Sequence, residues 1–221
     1  LWTNPNDPAV QQRLLDLVAE VTANYRIDGV IFDDRMRYVS VNADMSEASR
    51  AAFEAYVGKR LTWPDDVLRL DVSYPALTRR ATTGPYYDAW LVWRAMIIRN
   101  WLARAVNTVK GIRPAATVGV YVGSWYGEYA AYGANWAATD FQAGFRFLTD
   151  NYRQTGFANL VDWMTTGCYY GTPTLAEAVD SGGSLGFNVE AAGQLSNRCA
   201  HSATWVYAGI SLDKYDKNPD G

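Results

Sequence analysis

Two adjacent aspartates, Asp33 and Asp34, end a short apolar run and are the residues in this sequence best suited to chemistry. Cleavage of a glycosidic bond uses two carboxyl groups, one ionised and one kept protonated by its surroundings, and this pair can supply at least one of them. The run before them, residues 29–32, has the composition of a strand buried on both faces. Successive side chains of a strand point to opposite sides, so only one aspartate can face a pocket directly. The alternative is a structural salt bridge of either aspartate with Arg35 or Arg37.

A second carboxylate is expected where another strand ends and a helix begins, since that is the reactive side of a β/α fold. Glu190 is favoured, because it opens a predicted helix whose dipole stabilises the ionised form that a nucleophile or base requires. The alternative is that Glu190 only caps its helix. Glu128 and Asp213 also follow predicted strands and are predicted to contact substrate.

Aromatic side chains are concentrated after the predicted strands, where their rings can stack on sugar faces. Those predicted to bind substrate are Tyr38, Tyr121, Trp125, Tyr126, Trp136, Tyr169 and Tyr170. Arg35 and Arg37 are assigned to the same surface, either to bind an acidic sugar or, as we favour, to tune the pKa values of the aspartates.

Helices and strands alternate along the chain. Asp7-Pro8 is a good helix start, and Ser46 and Gly58 bracket a second helix. The stretch between Thr62 and Pro85 looks irregular, and a helix from Tyr86 to Lys110 is ended by Gly111. Later helices are predicted at 141–155, 175–179 and 190–200, and strands at 29–32, 117–122, 160–166 and 204–212.

This alternation predicts an α/β fold with a parallel sheet, most naturally a TIM-type β/α barrel in one domain spanning residues 1–221. A barrel normally takes eight strands, so four make it incomplete. The missing strands are expected from the rest of the protein or from a partner chain. The chain starts at Leu1 without a methionine, which suggests that an upstream part was removed or left out.

Composition narrows the functional classes. The 221 residues are 49% hydrophobic, yet they contain no apolar run long enough to cross a bilayer. The net charge of −3, without a basic block, argues against a nucleic-acid partner. Two cysteines, Cys168 and Cys199, make no metal-binding cluster and can either pair or remain free thiols. With His201 as the sole histidine, a Ser124–His201 esterase is a minor alternative, and neither metal nor organic cofactor is expected.

Several segments, in order and spacing, resemble the glycosyl-hydrolase-like family 10 barrels, which are also labelled alpha-amylase-like or family 10 glycosylhydrolase proteins. The first is Asn4-Pro5 through Asp7-Pro8-Ala9-Val10, and the second is Tyr25-Arg26-Ile27-Asp28-Gly29-Val30-Ile31-Phe32-Asp33-Asp34. The others are Phe53-Glu54-Ala55-Tyr56-Val57-Gly58-Lys59, Trp63-Pro64-Asp65-Asp66 and Gly123-Ser124-Trp125-Tyr126. The resemblance implies a TIM-barrel carbohydrate hydrolase whose fourth strand carries the aspartates and whose first three strands are absent here.

We therefore predict a glycoside hydrolase that acts on an extracellular or cell-envelope polysaccharide, with Asp33 or Asp34 paired with Glu190. The rival prediction is a carbohydrate-binding barrel without catalysis. Two strand-end carboxyl groups about 5 to 5.5 Å apart would indicate a retaining enzyme, about 6.5 to 9.5 Å an inverting one, and no such pair a binder.

Overall fold

The computed structural model describes residues 4–74, 78–142, 144 and 149–214. Its helices are α1 (Pro8–Asn24), α2 (Glu47–Val57), α3 (Tyr87–Ile112), α4 (Asp150–Arg153), α5 (Leu175–Asp180) and α6 (Val189–Ala200). Its strands are β1 (Gly29–Phe32), β2 (Leu68–Ser73), β3 (Thr78–Thr83), β4 (Thr117–Gly123), β5 (Trp163–Gly167) and β6 (Trp205–Gly209). Short 3-10 turns cover Tyr129–Tyr132, Ala158–Leu160 and Leu212–Lys214.

Four strands form one parallel sheet in the order β1-β4-β5-β6. All four strands run in the same direction, so their carboxyl ends lie along one edge, here called the rim. Each pair of consecutive strands in the sheet is connected through one or more helices, as in a β/α fold. The predicted α/β class with a parallel sheet is confirmed to this extent.

The two faces of the sheet differ in burial. Val118, Val120 and Met164 are fully buried on the face that packs against the helices. On the opposite face, residues from neighbouring strands lie in register, Ile31 beside Gly119, Trp163 and Trp205, and then Tyr121 beside Thr165 and Tyr207. Ile31, Trp205 and Tyr207 there are 52%, 76% and 57% exposed. We call this surface the open face.

The helix starts follow from the predicted caps. Asp7 accepts a hydrogen bond from the backbone N–H of Ala9, with Pro8 at the first helical position. Ser46 accepts one from the N–H of Ser49, and Gly58 ends α2 in a left-handed conformation, φ +67°.

Three predictions about elements are corrected. The stretch taken as irregular contains an antiparallel hairpin, β2 with β3, in which Leu68 pairs with Thr83. Helix α3 continues through Gly111 to Ile112, and the N–H of Arg113 still donates to the carbonyl of Val109 at its end. Within the predicted helix at 141–155 the described helix is only Asp150–Arg153, and positions 143 and 145–148 lie outside the described residues.

Both cysteines, Cys168 and Cys199, are buried free thiols. Among the described residues, every helix is too short or too polar to cross a lipid bilayer.

Candidate functional site

The rim brings together side chains that are distant in sequence. Asp33 and Asp34 follow β1, Ser124 and Trp125 follow β4, and Cys168 to Tyr170 follow β5. The aspartates and the ring-rich segment after β4, residues 124–136, which we call the aromatic loop, therefore lie at the same end of the sheet.

Tyr121, on the open face of β4, is the centre of this arrangement. It forms a side-chain hydrogen bond with Tyr169, and the two rings stack with their centroids 6.2 Å apart. Burial raises the pKa of Tyr121, the hydrogen bond with Tyr169 raises it further, and the charges of Asp34 and then Asp33 add to the effect. Both carboxylates thus act electrostatically on this phenol, Asp34 more strongly, and Tyr121 stays protonated at neutral pH.

The two aspartates occupy different environments. The backbone turns after Phe32, where the main-chain carbonyl of Asp33 accepts a hydrogen bond from the N–H of Met36. The alternation of the strand therefore no longer determines where the next side chains point. Asp33 is exposed and lines a cavity of about 370 Å³ between α1 and α3, together with Phe32 and Trp101. Its Oδ1 also accepts from the backbone N–H of Asp34 at 2.8 Å. Asp34 is half-buried and is the aspartate that interacts more strongly with Tyr121.

A row of glycines, which we did not predict, shapes the rim. Gly123, Gly167 and Gly209 are in register across β4, β5 and β6. A Cβ on Gly123 would lie 2.1 Å from the indole nitrogen of Trp125, and one on Gly167 would lie 2.2 Å from the Tyr121 hydroxyl. The missing side chains let these two rings lie against the backbone. Glycine spacing at the ends of the strands was the sequence signal for this row.

Trp125 is half-buried and packs against a second ring, Tyr132, at 4.9 Å. The guanidinium of Arg37 lies 4.9 Å from the centroid of Tyr132 and 5.4 Å from that of Trp125. Arg35 lines the same cavity as Asp33. The rings of Trp125 and Tyr132 are here called the aromatic wall. Arg37 stabilises this wall through cation–π contacts, a role that we did not predict.

Three predicted ligand contacts lie in the core instead. Tyr38, Tyr126 and Trp136 are each at most 2% exposed. Tyr38 donates a hydrogen bond to Asn6 and packs under the guanidinium of Arg94, 4.1 Å away. Trp136 packs edge-to-face against Trp125 from the core, with ring centroids 4.7 Å apart. These rings support the rim and do not form its surface, because the loops that carry them fold back onto α3 and α6.

Arg94 of α3 fixes two of the rim loops. Its guanidinium is fully buried and donates to the carbonyls of Ser40 and Val41 after β1 and of Ala131 after β4. Burial lowers the pKa of Arg94 to about 10, so the group is still a cation at neutral pH. One side chain thus connects the loop that follows the aspartates with the aromatic loop.

Glu190 binds protein groups. One oxygen accepts from the backbone N–H of Leu175 at 2.9 Å, the other from the side chain of Gln194 at 3.1 Å. The carboxylate therefore stabilises the start of α5, a neighbouring helix. Glu128 is exposed after β4, and Asp213 is exposed after β6, where it accepts a hydrogen bond from Ser211.

Tyr170 and Ser124 share a hydrogen bond of 2.7 Å at the rim. His201 caps the carboxyl end of α6 just before β6, stacked on Phe141. Ser124 and His201 are therefore at opposite ends of the sheet, and the esterase alternative is wrong. Among the described residues, no three His, Cys, Asp or Glu side chains come together as metal ligands would.

Residues 1–184 match the sequence profile of the glycosyl hydrolase-like 10 family. The chain belongs to this family. The prediction from the sequence motifs is thereby confirmed. An S-layer-related protein of Niallia circulans is 30% identical over 228 residues, which cover 96% of this chain and 13% of that protein. The chain thus spans a small part of the length of that relative.

The region shared with glycosyl hydrolase-like 10 proteins contains most of the rim. Asp33, Asp34, Tyr121, Trp125 and Tyr169 all lie within residues 1–184. Glu190 and Asp213 lie beyond it. The match therefore covers the aspartates and the aromatic wall, and leaves out the predicted second carboxylate.

Proposed function

We propose that this chain hydrolyses glycosidic bonds and that its rim holds the substrate. The observation that carries the proposal is that Asp33, Asp34 and the stacked Tyr121–Tyr169 pair lie together at the carboxyl ends of parallel strands. This is the side of a β/α fold where catalytic groups are found. The glycine row lets the rings of Tyr121 and Trp125 lie against the sheet, and Trp125 supplies a stacking surface for a sugar ring.

In this proposal, Asp34 is the carboxylate nearest the reaction. It is half-buried, and its negative charge acts on the Tyr121 phenol more strongly than that of Asp33 does. Glu190 is the candidate for the second carboxyl group, and it would have to release Leu175 and Gln194 to act. Asp33 is less suited to this role, because it lines the cavity between α1 and α3.

The second candidate function is carbohydrate binding without hydrolysis. One observation favours it, namely that both oxygens of Glu190 are hydrogen-bonded to groups of the protein. A rim with aromatic rings but only one placed carboxyl group would bind a glycan and leave its bonds intact.

We also propose that further parallel strands cover the open face and complete a TIM-type barrel. A parallel sheet is normally buried on both faces, whereas Ile31, Trp205 and Tyr207 are exposed here. These strands would come from elsewhere in the protein or from a partner chain. The name of the Niallia circulans relative, an S-layer-related protein, supports a cell-envelope location. Together with the family match, this location leads us to propose a cell-envelope polysaccharide as the substrate.

A hydrolysis screen tests the proposal. The full-length protein is incubated with purified cell-wall glycans, and released reducing ends are measured for wild type, Asp33→Asn, Asp34→Asn and Glu190→Gln. We expect Asp34→Asn to abolish turnover while glycan binding is retained. Asp180→Asn, which changes an exposed aspartate at the end of α5, is the matched control. Binding by wild type without any turnover would support the second candidate function instead.

A further inference from the structure

A second cavity lies beside the rim, in a position that the proposed chemistry does not use. It has a volume of about 670 Å³, which is within the range of ligand sites. Three elements form it, namely the end of the hairpin at Thr83, the first turns of α3 at Tyr87 and Asp88, and the loop from Gly127 to Tyr132. The hairpin, inserted between β1 and α3, thus supplies one wall of the cavity.

This cavity adjoins the aromatic wall of the rim at Tyr132. That ring lines the cavity and also packs against Trp125, whose indole lies over Gly123 at the end of β4. A glycan that stacks on Trp125 can therefore extend past Tyr132 into the cavity. Tyr87 provides a second half-buried ring in the lining.

Both charged residues in the lining of the cavity are acidic. Asp88 and Glu128 are exposed, and among the described residues that line the cavity none is a lysine or an arginine. Two cations lie next to the lining, since the guanidinium of Arg37 is 4.9 Å from the ring of Tyr132 and the buried Arg94 donates to a carbonyl of the loop. The two exposed carboxylates favour a cation through charge pairing. They disfavour an acidic sugar in the same place.

We propose that this cavity is a second saccharide subsite, and that it binds a sugar unit with a free amino group in the glycan held by the rim. The inference rests on the proposed function in that it assumes a glycan at the rim. It adds the class of substrate, a polymer that contains unacetylated amino sugars. The test is a binding measurement, so a protein that binds glycans without hydrolysing them is also covered.

The first experiment blocks the cavity. A Cβ on Gly127 has no atom within 4 Å, so Gly127→Trp is expected to fold and to fill the space with its indole. Gly111→Trp is the matched control, because the Cβ position of Gly111 is equally open and lies at the far end of α3. Calorimetric titration of the full-length protein with glucosamine hexasaccharide should show affinity at least about tenfold weaker for Gly127→Trp, and unchanged affinity for Gly111→Trp. Equal affinities in the two variants would overturn the subsite.

The second experiment tests the charge. Titration with the hexasaccharides of glucosamine and of N-acetylglucosamine compares ligands that differ only in acetylation. We expect wild type to bind the free amine roughly three- to tenfold more tightly at low salt, and Asp88→Asn and Glu128→Gln each to reduce that ratio. A ratio of one, or a ratio that both variants leave unchanged, would contradict the proposal. If wild type shows these affinities but does not hydrolyse any glycan, the result would count against the proposed function and not against the subsite.

Discussion

Individual residues at the rim have roles that depend on the space around them. Asp33 and Asp34 are adjacent in sequence, yet Asp33 is exposed and lines a cavity between helices, whereas Asp34 is half-buried. The sequence predicted that only one of them faces a given pocket, and it left open which one. The turn after Phe32 decides this, and it depends on backbone hydrogen bonds that no residue pattern revealed.

Gly167 is the residue whose substitution tests the packing of Tyr121. A methyl group at this position would lie 2.2 Å from the Tyr121 hydroxyl, so Gly167→Ala must displace the ring. We expect Gly167→Ala to lower the free energy of unfolding by about 1 to 3 kcal/mol and to weaken glycan binding. Gly171→Ala is the matched control, since its Cβ meets no atom within 4 Å. Urea denaturation and titration of both variants check this, and an unperturbed Gly167→Ala would be inconsistent with the described position of Tyr121.

At the scale of elements, the sequence predicted the helices and strands that short local residue patterns determine. Helices α1 and α2 begin at their predicted caps, and four parallel strands appear where apolar runs were found. The hairpin was missed because β2 and β3 carry many exposed charged and polar residues and bury only Leu68 among the side chains described. The contact of Glu190 with α5 was missed because it joins residues that are 15 positions apart in the sequence.

Substitution of Arg94 tests how the elements are held together, because this side chain joins the loops after β1 and β4 to α3. Arg94→Met would leave three buried or half-buried carbonyls without their donor. We expect the free energy of unfolding to fall by at least about 2 kcal/mol. Arg104→Met, on the same helix but paired with exposed glutamines, should change it by less than about 1 kcal/mol. Chemical denaturation measures both values, and similar losses in the two variants would refute the loop-positioning role.

The whole molecule combines a hydrophobic core that contains several buried phenols with a sheet whose open face is exposed. Four phenols, those of Tyr38, Tyr126, Tyr129 and Tyr152, are at most 2% exposed. The open face was predictable only in part, since strand count implied an incomplete barrel but not which side chains would be exposed. Burial at this scale depends on strand register and on the rest of the assembly, and the sequence pattern does not determine either.

These phenols predict how stability depends on pH. Burial raises the pKa of all four above the ordinary 10.0, so the folded state holds protons that the unfolded state loses. The stabilisation is complete below about pH 10 and is lost as the pH rises above it. The lowered pKa of Arg94 acts in the opposite sense, but it is one group against four. The unfolding free energy should fall above about pH 10, and the phenolate absorbance of these four residues should rise as the protein unfolds. Ionisation of all tyrosines near pH 10 in a protein that stays folded would be the opposite result.

The most direct test of the central claim is a crystal structure of the full-length Asp34→Asn variant with an uncleaved oligosaccharide substrate. We predict that the glycan lies along the rim, stacks on Trp125 or Tyr169, and has a glycosidic oxygen within hydrogen-bond reach of the residue 34 side chain. A glycan bound elsewhere, for example in the cavity between α1 and α3 or at the end of the sheet near Trp205, would contradict the account.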